Sequence, residues 1–363
     1  MRLATALLVL VALASCTPRG KIDFAQTPPS RSTTTQDIYY ATTRDAAANF
    51  YGDERSETTQ FGLISVSIPE AHRSGRIEWP RRERPDPDKH FLTVATDRYP
   101  RGTDLVAQLN SQLRQRPADD REITLFIHGF NTTFAESVYR MAQLSHDLGT
   151  SSVPVIYSWP SGENPLGYAY SRDSALIARD GLEDVIEVLT QTEASGIVLV
   201  THSMGSLVAM ETLRQMRGRK RDRAIDQMSV VMISPDIDVD VFRSQARAIG
   251  DLPDPFVVLG SQRDRVLRLA GRLTGQGGRV GTLDNIDRLS EFKITFIDVT
   301  AFDDADTQHF SPATSPALLE ILNQAQEYDR ALTRDPAARP GLLPGTALTV
   351  QNATRLVLTP NVR

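Results

Sequence analysis

The fold is decided by the stretch Gly196-Ile197-Val198-Leu199-Val200-Thr201-His202-Ser203-Met204-Gly205-Ser206. Its apolar, mostly β-branched start gives way to a small polar turn, after which apolar residues recur at helical spacing at positions 207, 208, 210, 213 and 216. The pattern predicts a buried strand, a sharp turn and a helix. A hydroxyl on such a turn has a free backbone N–H and a helix N-terminus beside it, which suits a nucleophile whose reaction generates an oxyanion. We therefore interpret Ser203 as a candidate nucleophile.

Short apolar strands alternate with amphipathic helices on both sides of this stretch. Strands are predicted at 37–44, 62–69, 123–127, 153–158, 196–200, 228–233, 255–260 and 293–299, with helices between them and a final helix at 316–332. Strands that alternate with helices favour right-handed crossovers and a parallel sheet covered on both faces. The sequence thus predicts an α/β fold with a mostly parallel sheet of about eight strands.

A serine nucleophile needs a base within hydrogen-bond reach and an acid that orients the base. Ligands of open α/β sheets bind at the carboxyl ends of the strands, so both residues should directly follow a strand. Only His309 lies in a loop between the last strand and the closing helix, and it is the predicted base. The other five histidines precede the regular sheet, lie in a helix or belong to the strand-end turns, and they are His72, His90, His128, His146 and His202.

The predicted acid is Asp264, which ends the segment after the strand at 255–260. The chain order serine, aspartate, histidine is the order found in α/β-hydrolase folds. Asp236 and Asp238, after the preceding strand, remain alternative acids. Their acidic cluster lacks the glycine and the distal glutamate of a calcium loop, so we predict a helix N-cap there and no metal site.

The oxyanion should be held by two backbone N–H groups. One is that of Met204, directly after the nucleophile, and the other is that of Phe130, in the turn after an earlier strand, where Gly129 allows close approach of the backbone. Aromatic residues after neighbouring strand ends are expected to wall the substrate pocket, namely His128, Trp159 and Tyr170.

The amino terminus predicts export. Arg2 precedes an apolar run over 3–13 that has the proportions of a signal peptide, and the segment 13–16 resembles the bacterial lipobox, in which the cysteine is lipidated. Cys16 is the sole cysteine of the chain. We expect a signal peptide at 1–15, a lipidated Cys16 with a flexible tether at 16–36, and a protein anchored to the bacterial cell envelope. Thr17, in place of an aspartate, favours the outer over the inner membrane.

Composition limits the remaining possibilities. A length of 363 residues with 40% hydrophobic content suffices for one sizeable core, which we assign to a single domain at 37–332. The C-terminal extension at 333–363 has no predicted role. A net charge of −5 argues against a nucleic-acid partner, since binding to phosphates requires a basic surface. The oligomeric state is left open.

Six short motifs in order carry a family resemblance. They are Tyr-Ala-Thr-Thr-Arg at 40–44, Phe-Ile-His-Gly-Phe-Asn at 126–131, Tyr-Ser-Trp-Pro-Ser at 157–161, Tyr-Ser-Arg-Asp-Ser-Ala at 170–175, Thr-His-Ser-Met-Gly at 201–205 and Pro-Asp-Ile-Asp at 235–238. With them the chain resembles bacterial α/β-hydrolases of the esterase/lipase superfamily known as a domain of unknown function. The resemblance implies the α/β-hydrolase fold and the same triad of Ser203, Asp264 and His309. Thr201 departs from the first glycine of the G-x-S-x-G turn.

These residues predict a serine hydrolase, most simply a carboxylic-ester hydrolase that works through an acyl-enzyme without metal or organic cofactor. The expected partners are a small-molecule ester or lipid substrate and a membrane, which the chain would reach through its anchor. Acyl transfer or amide hydrolysis would use the same residues and stay open as alternatives. A further alternative from another class is a non-catalytic envelope lipoprotein that binds a lipid or a protein.

Overall fold

The computed structural model describes residues 19–80, 83–164, 166–275, 278–302, 309, 311–320, 345–350 and 352–358. Within this part of the chain lie eleven strands, at β1 (Thr34–Ala47), β2 (Phe50–Ile68), β3 (Leu92–Tyr99), β4 (Glu122–Ile127), β5 (Val153–Ser158), β6 (Gly196–His202), β7 (Met228–Ile233), β8 (Phe256–Gly260), β9 (Thr295–Asp298), β10 (Gly345–Val350) and β11 (Ala353–Leu358). The helices are α1 (Gly102–Leu113), α2 (Phe134–Asp147), α3 (Tyr168–Leu189), α4 (Gly205–Gly218), α5 (Asp222–Asp226), α6 (Val239–Ile249), α7 (Arg265–Leu273) and α8 (Ser311–Thr314).

All eleven strands form one sheet in the order β10-β11-β9-β8-β7-β6-β4-β5-β1-β2-β3. Neighbouring strands from β11 through to β1 pair in parallel, whereas the pairs β1 with β2, β2 with β3 and β10 with β11 are antiparallel. The predicted α/β class with a mostly parallel sheet is therefore confirmed. The sheet is wider than the predicted eight strands because antiparallel hairpins extend both of its edges.

Both faces of the sheet are covered by helices, as the alternation of side chains along β4 illustrates. Leu125 and Ile127 join the core cluster that contains residues of α3 and α4, whereas Phe126 between them belongs to the cluster around α2. Because successive strand residues point to opposite faces, a fully apolar strand must be buried on both sides. The centre of the sheet, where β6 lies, is consequently a rigid platform for the turn that follows it.

The predicted element bounds agree well with the structure in the middle of the chain. The strands predicted at 153–158 and 228–233 end at the predicted residues, and β4, β6 and β8 differ by one or two. Of the predicted final helix at 316–332, residues 316–320 are helical and the remainder lies outside the described residues.

The described part of the predicted tether at 16–36 contacts the domain. From Arg19 onward the chain packs on it, with Ile22 buried and Ala25 donating its amide to the carbonyl of Thr93 at 2.9 Å. The carbonyl of Asp23 in turn accepts the amide of Thr93 at 2.8 Å, which covers part of the open edge of β3. A polar composition predicts a loose segment, but these backbone hydrogen bonds require no apolar side chain.

The C-terminal extension, for which the sequence offered no role, completes the other edge. Strand β11 pairs in parallel with β9, from Thr354 opposite Thr295 to Val357 opposite Asp298. The predicted signal peptide at 1–15, Cys16 and the first residues of the predicted tether lie outside the described residues. Among the helices that the structure describes, none has the length and hydrophobicity needed to cross a bilayer.

Candidate active site

Ser203 sits on a strained turn between β6 and α4. Its φ of +51° lies in the left-handed region, which is costly for a residue with a side chain. The turn is held by two backbone hydrogen bonds, from Ser203 N–H to the Ile233 carbonyl at 3.0 Å and from Asp236 N–H to the Ser203 carbonyl at 3.1 Å. A Cβ on Gly205 would lie 2.4 Å from the His128 carbonyl oxygen, so only glycine fits there. These contacts hold the serine side chain in one place.

Thr201, which replaces the first glycine of the usual motif, is accommodated by a hydrogen bond. Its hydroxyl lies 2.7 Å from the hydroxyl of Ser206, in the first turn of α4, and both side chains are fully buried. The bulk of threonine is thus compensated locally by a polar partner. The strain of the turn is concentrated at Ser203 itself.

The structure brings the three predicted triad residues together. His309 Nε2 lies 2.9 Å from Ser203 Oγ, and His309 Nδ1 lies 2.8 Å from Asp264 Oδ2. Because Asp264 accepts the Nδ1 proton, Nε2 is left with a lone pair directed at the serine hydroxyl. The arrangement can therefore remove a proton from Ser203 and hold the positive charge that results.

Asp264 is fixed by its position at the start of α7. It is fully buried, and its second oxygen, Oδ1, accepts the amide of Leu267 at 2.9 Å as a helix N-cap. A carboxylate that is buried yet hydrogen-bonded through both oxygens has little freedom to rotate. It therefore fixes the imidazole of His309 in one orientation.

The alternative acids are engaged elsewhere. Asp236 lies 3.1 Å from Arg279 Nε and accepts the hydroxyl of Tyr168 at 2.8 Å. Asp238 caps α6 by accepting the amides of Asp240 and Val241, as the helix N-cap interpretation predicts. The described contacts of His309 include neither of them.

The two expected oxyanion donors flank Ser203. Within the described part of the chain, neither the Met204 nor the Phe130 amide N–H has a hydrogen-bond acceptor, and Met204 stands at the N-terminus of α4, where the helix dipole favours negative charge. A Cβ on Gly129 would lie 2.8 Å from the Ser203 Cβ, so the turn that carries Phe130 can approach the nucleophile only with glycine. Both amides are available to an oxyanion.

Arg44 supports the turn that carries Phe130, and the sequence did not identify it as a residue of the site. It is fully buried and donates to the Thr132 carbonyl at 2.6 Å, to Ser158 Oγ at 2.9 Å and to Ser161 Oγ at 3.2 Å. Burial lowers the pKa of its guanidinium to about 10, which leaves it charged at neutral pH. Its place at the end of the predicted strand 37–44 was the signal that could have identified it.

His128 and Trp159 lie beneath the site and do not wall a pocket, contrary to the prediction. Both are buried, their rings stack at 5.5 Å, and Trp159 Nε1 donates to the His128 carbonyl at 2.8 Å. Burial, with the nearby charge of Arg44, lowers the pKa of His128 to about 3, so its imidazole is neutral. Tyr170 is on the outer side of α3, with Arg55 over its ring at 4.4 Å. Side chains after strand ends can point inward, which spacing alone does not reveal.

His202 is a second residue that supports the site, and the sequence did not identify it as such. Its ring centroid lies 4.9 Å from that of His309, and its Nε2 is 3.4 Å from the His309 carbonyl. Burial and the neighbouring His309 hold its pKa well below the ordinary value, so it packs as a neutral ring. It forms part of the wall on which His309 rests.

Comparison with known proteins identifies the family of the chain. The sequence model of a family described as alpha/beta hydrolase of unknown function (DUF900) matches residues 103–326, which is more than half of the chain. No curated protein matches the sequence.

Three solved structures show distant likeness. Lipase B of Aspergillus fumigatus matches with 13% identity and a TM-score of 0.28 over 39% of this chain and 38% of its own length. An esterase of Pyrobaculum calidifontis matches with 11% identity and a TM-score of 0.34 over 84% and 86%. An extracellular α/β-hydrolase of a Paenibacillus species matches with 14% identity and a TM-score of 0.23 over 54% and 86%. Similarity of this degree carries no information about substrate.

Proposed function

The chain belongs to the DUF900 family of alpha/beta hydrolases, and on that premise we propose that it is a serine hydrolase that cleaves carboxylic esters. The observation that carries the proposal is the pair of distances around His309, 2.9 Å to Ser203 Oγ and 2.8 Å to Asp264 Oδ2. A binding protein would have no use for a hydroxyl, an imidazole and a buried carboxylate in this order.

In the proposed reaction His309 Nε2 takes the proton of Ser203 Oγ as the oxygen attacks the ester carbonyl. The amides of Met204 and Phe130 hold the oxyanion of the tetrahedral intermediate. His309 then returns the proton to the leaving alcohol, which leaves an acyl group on Ser203. A water molecule, deprotonated by the same nitrogen, releases the acid and restores the hydroxyl.

We further propose that the protein is exported and held at the bacterial cell envelope by lipidated Cys16. Support comes from the apolar run over 3–13 and the lipobox-like segment at 13–16. Incorporation of labelled palmitate should be lost in Cys16→Ser. Labelling that persists in this variant would contradict the anchor.

A fluorophosphonate probe tests the nucleophile, because it reacts with a serine only where a base and an oxyanion site activate it. We expect covalent labelling of the wild-type chain and none of Ser203→Ala. The matched control is Ser195→Ala, which alters an exposed serine just before the opposite end of the same strand. A folded wild-type chain without labelling, or labelling that survives in Ser203→Ala, would overturn the proposal.

A further inference from the structure

An exposed apolar surface lies at the start of α3. We call it the α3 surface and define it by Leu166, which lies in the turn just before the helix, and by Tyr170 and Ile177, which are seven residues apart and so share a face of α3. Leu166 is 90% exposed, Tyr170 39% and Ile177 51%, and Leu176 beside them is 46% exposed. Large apolar side chains grouped on one face of a helix indicate a contact with something apolar.

The amino-terminal end of this surface adjoins the candidate active site. Tyr168, in the same first turn of α3, packs edge-on against Phe130 with ring centroids 5.4 Å apart. Phe130 supplies one of the two amides assigned to the oxyanion. Whatever covers Leu166, two residues before Tyr168, therefore lies near the edge of the site.

The amino-terminal segment is fastened at the same place. Arg19 donates to both oxygens of Glu136, at 3.0 and 2.7 Å, and to the carbonyls of Asn131 at 2.8 Å and Glu163 at 3.1 Å. Asn131 directly follows Phe130, and Glu163 precedes Leu166 by three residues. This clamp joins the amino-terminal chain to the two loops that border the site.

The clamp limits how far the lipid anchor can lie from the site. Cys16 precedes Arg19 by three residues, and an extended chain of that length spans at most about 11 Å. A lipidated Cys16 would therefore hold the bilayer within about 11 Å of the clamp. A long free tether would impose no such orientation.

We propose that the α3 surface rests on the lipid bilayer, so that the active site opens toward the membrane and takes an ester held in it. The inference rests on the proposed esterase function and on lipidation of Cys16. It names the source of the substrate, which is an acyl ester within the bilayer and not one dissolved in water. The apolar side chains lose water on contact, and the anchor supplies the local concentration.

Fluorescence of a labelled cysteine tests the contact. Since Cys16 is the sole cysteine and its sulfur is occupied once lipidated, an environment-sensitive dye reacts only with a newly introduced thiol. The lipidated full chain is reconstituted into vesicles of phosphatidylethanolamine and phosphatidylglycerol. We expect a blue shift of the dye for Leu166→Cys and Ile177→Cys, and none for Ser195→Cys, an exposed position just before the amino-terminal end of β6. No blue shift at positions 166 and 177, or an equal shift at all three positions, would overturn the proposed contact of the α3 surface with the bilayer.

Kinetics separates this inference from the proposed function. The double variant Leu166→Glu with Ile177→Glu should hydrolyse a vesicle-embedded ester about tenfold more slowly than wild type and a soluble short-chain ester at the wild-type rate. The control Leu269→Glu alters an exposed leucine on α7 and should leave both rates unchanged. Equal losses on both esters would overturn the membrane contact. A wild-type chain that cleaves neither ester while the dye still shifts would overturn the esterase and leave the membrane contact supported.

Discussion

Two histidines in this protein bridge two partners each, and the partners differ. His309 lies between one carboxylate and one hydroxyl, those of Asp264 and Ser203. His72 lies between two carboxylates, with Nδ1 2.8 Å from Glu78 Oε2 and Nε2 2.8 Å from Asp147 Oδ1. The nitrogen–oxygen distances are nearly the same in the two sites. The difference lies in whether a nitrogen faces a carboxylate or a hydroxyl.

The second carboxylate decides whether a histidine can act as a base. Burial opposes the charge of His72, but its hydrogen bonds with Asp147 and Glu78 outweigh this and raise its pKa to about 9. It is therefore a cation at neutral pH, with no free lone pair. His309 keeps an acceptor nitrogen because a hydroxyl, which can donate, occupies that side. His72 thus stabilises the structure as a cation, whereas His309 can accept a proton.

The cluster of His72, Glu78 and Asp147 still has a connection to the site. Asp147 Oδ2 accepts the amide of Gly75 at 2.7 Å. A Cβ on Gly75 would lie 2.1 Å from the carbonyl oxygen of Thr314, in the short helix α8 that begins two residues after His309. The cluster thus supports the segment that carries the base.

The largest effect on catalysis is expected when the carboxylate of Asp264, the partner of His309, is neutralised. Asp264→Asn should lower kcat for ester hydrolysis by about 10⁴-fold, because the amide favours the wrong tautomer of His309. Steady-state turnover of a soluble ester measures this. The matched control Asp238→Asn changes a helix N-cap and should leave kcat close to wild type. A large loss confined to Asp238→Asn would reverse the assignment of the acid.

The next effect concerns the stability of the second site. His72→Gln leaves Asp147 and Glu78 without their cation and should lower the free energy of unfolding by about 3–5 kcal/mol, measured by urea denaturation at pH 6. His146→Gln is the control, since His146 is partly exposed, packs edge-on against the ring of His72 at 5.2 Å and contacts one carboxylate of the cluster, that of Asp147. The two variants should differ clearly. Equal losses would show that the charge of His72 is not what stabilises the cluster.

The difference in stability between wild type and His72→Gln should depend on pH, and the sign of that dependence is fixed. Because the folded pKa of His72 is raised, its contribution is complete below the unfolded value of about 6.5 and is lost as pH rises through about 9. The stability gap between wild type and His72→Gln should therefore narrow between these values. A gap that widens as pH rises through this range would contradict the assigned charge.

The smallest effect on catalysis is expected at Arg44, which lies 3.4 Å from a third histidine, the neutral His128. Arg44→Met removes the donors that hold the Thr132 carbonyl near the oxyanion turn. We expect kcat for a soluble ester to fall by about tenfold to 100-fold with little change in KM, since the misplaced turn affects the oxyanion most. Arg98→Met, which removes an exposed arginine of β3, is the control. A change in KM alone would indicate a role in binding.

Much of the site was predictable because its residues follow strands. Ser203, Asp264 and His309 were found from their positions after β6, β8 and β9, and the carboxyl ends of parallel strands meet at one edge. Arg44 and His72 were not found, since the place of Arg44 at the end of a predicted strand does not reveal its partners, and Asp147, one partner of His72, lies 75 residues further along the chain. The pocket residues His128 and Trp159 were misjudged because the direction of a side chain after a strand depends on packing.

The sequence by itself determined the local periodicities. They predicted the parallel core strands, the turn at Ser203 and the helix that follows it, because apolar spacing of two or near four residues selects a strand or a helix without reference to the rest of the chain. Only the tertiary structure decided which distant segments meet. It placed β11 against β9, Arg19 against Glu136 and His72 against Asp147. Such contacts depend on chain packing and on charges far apart in sequence, which no local pattern encodes.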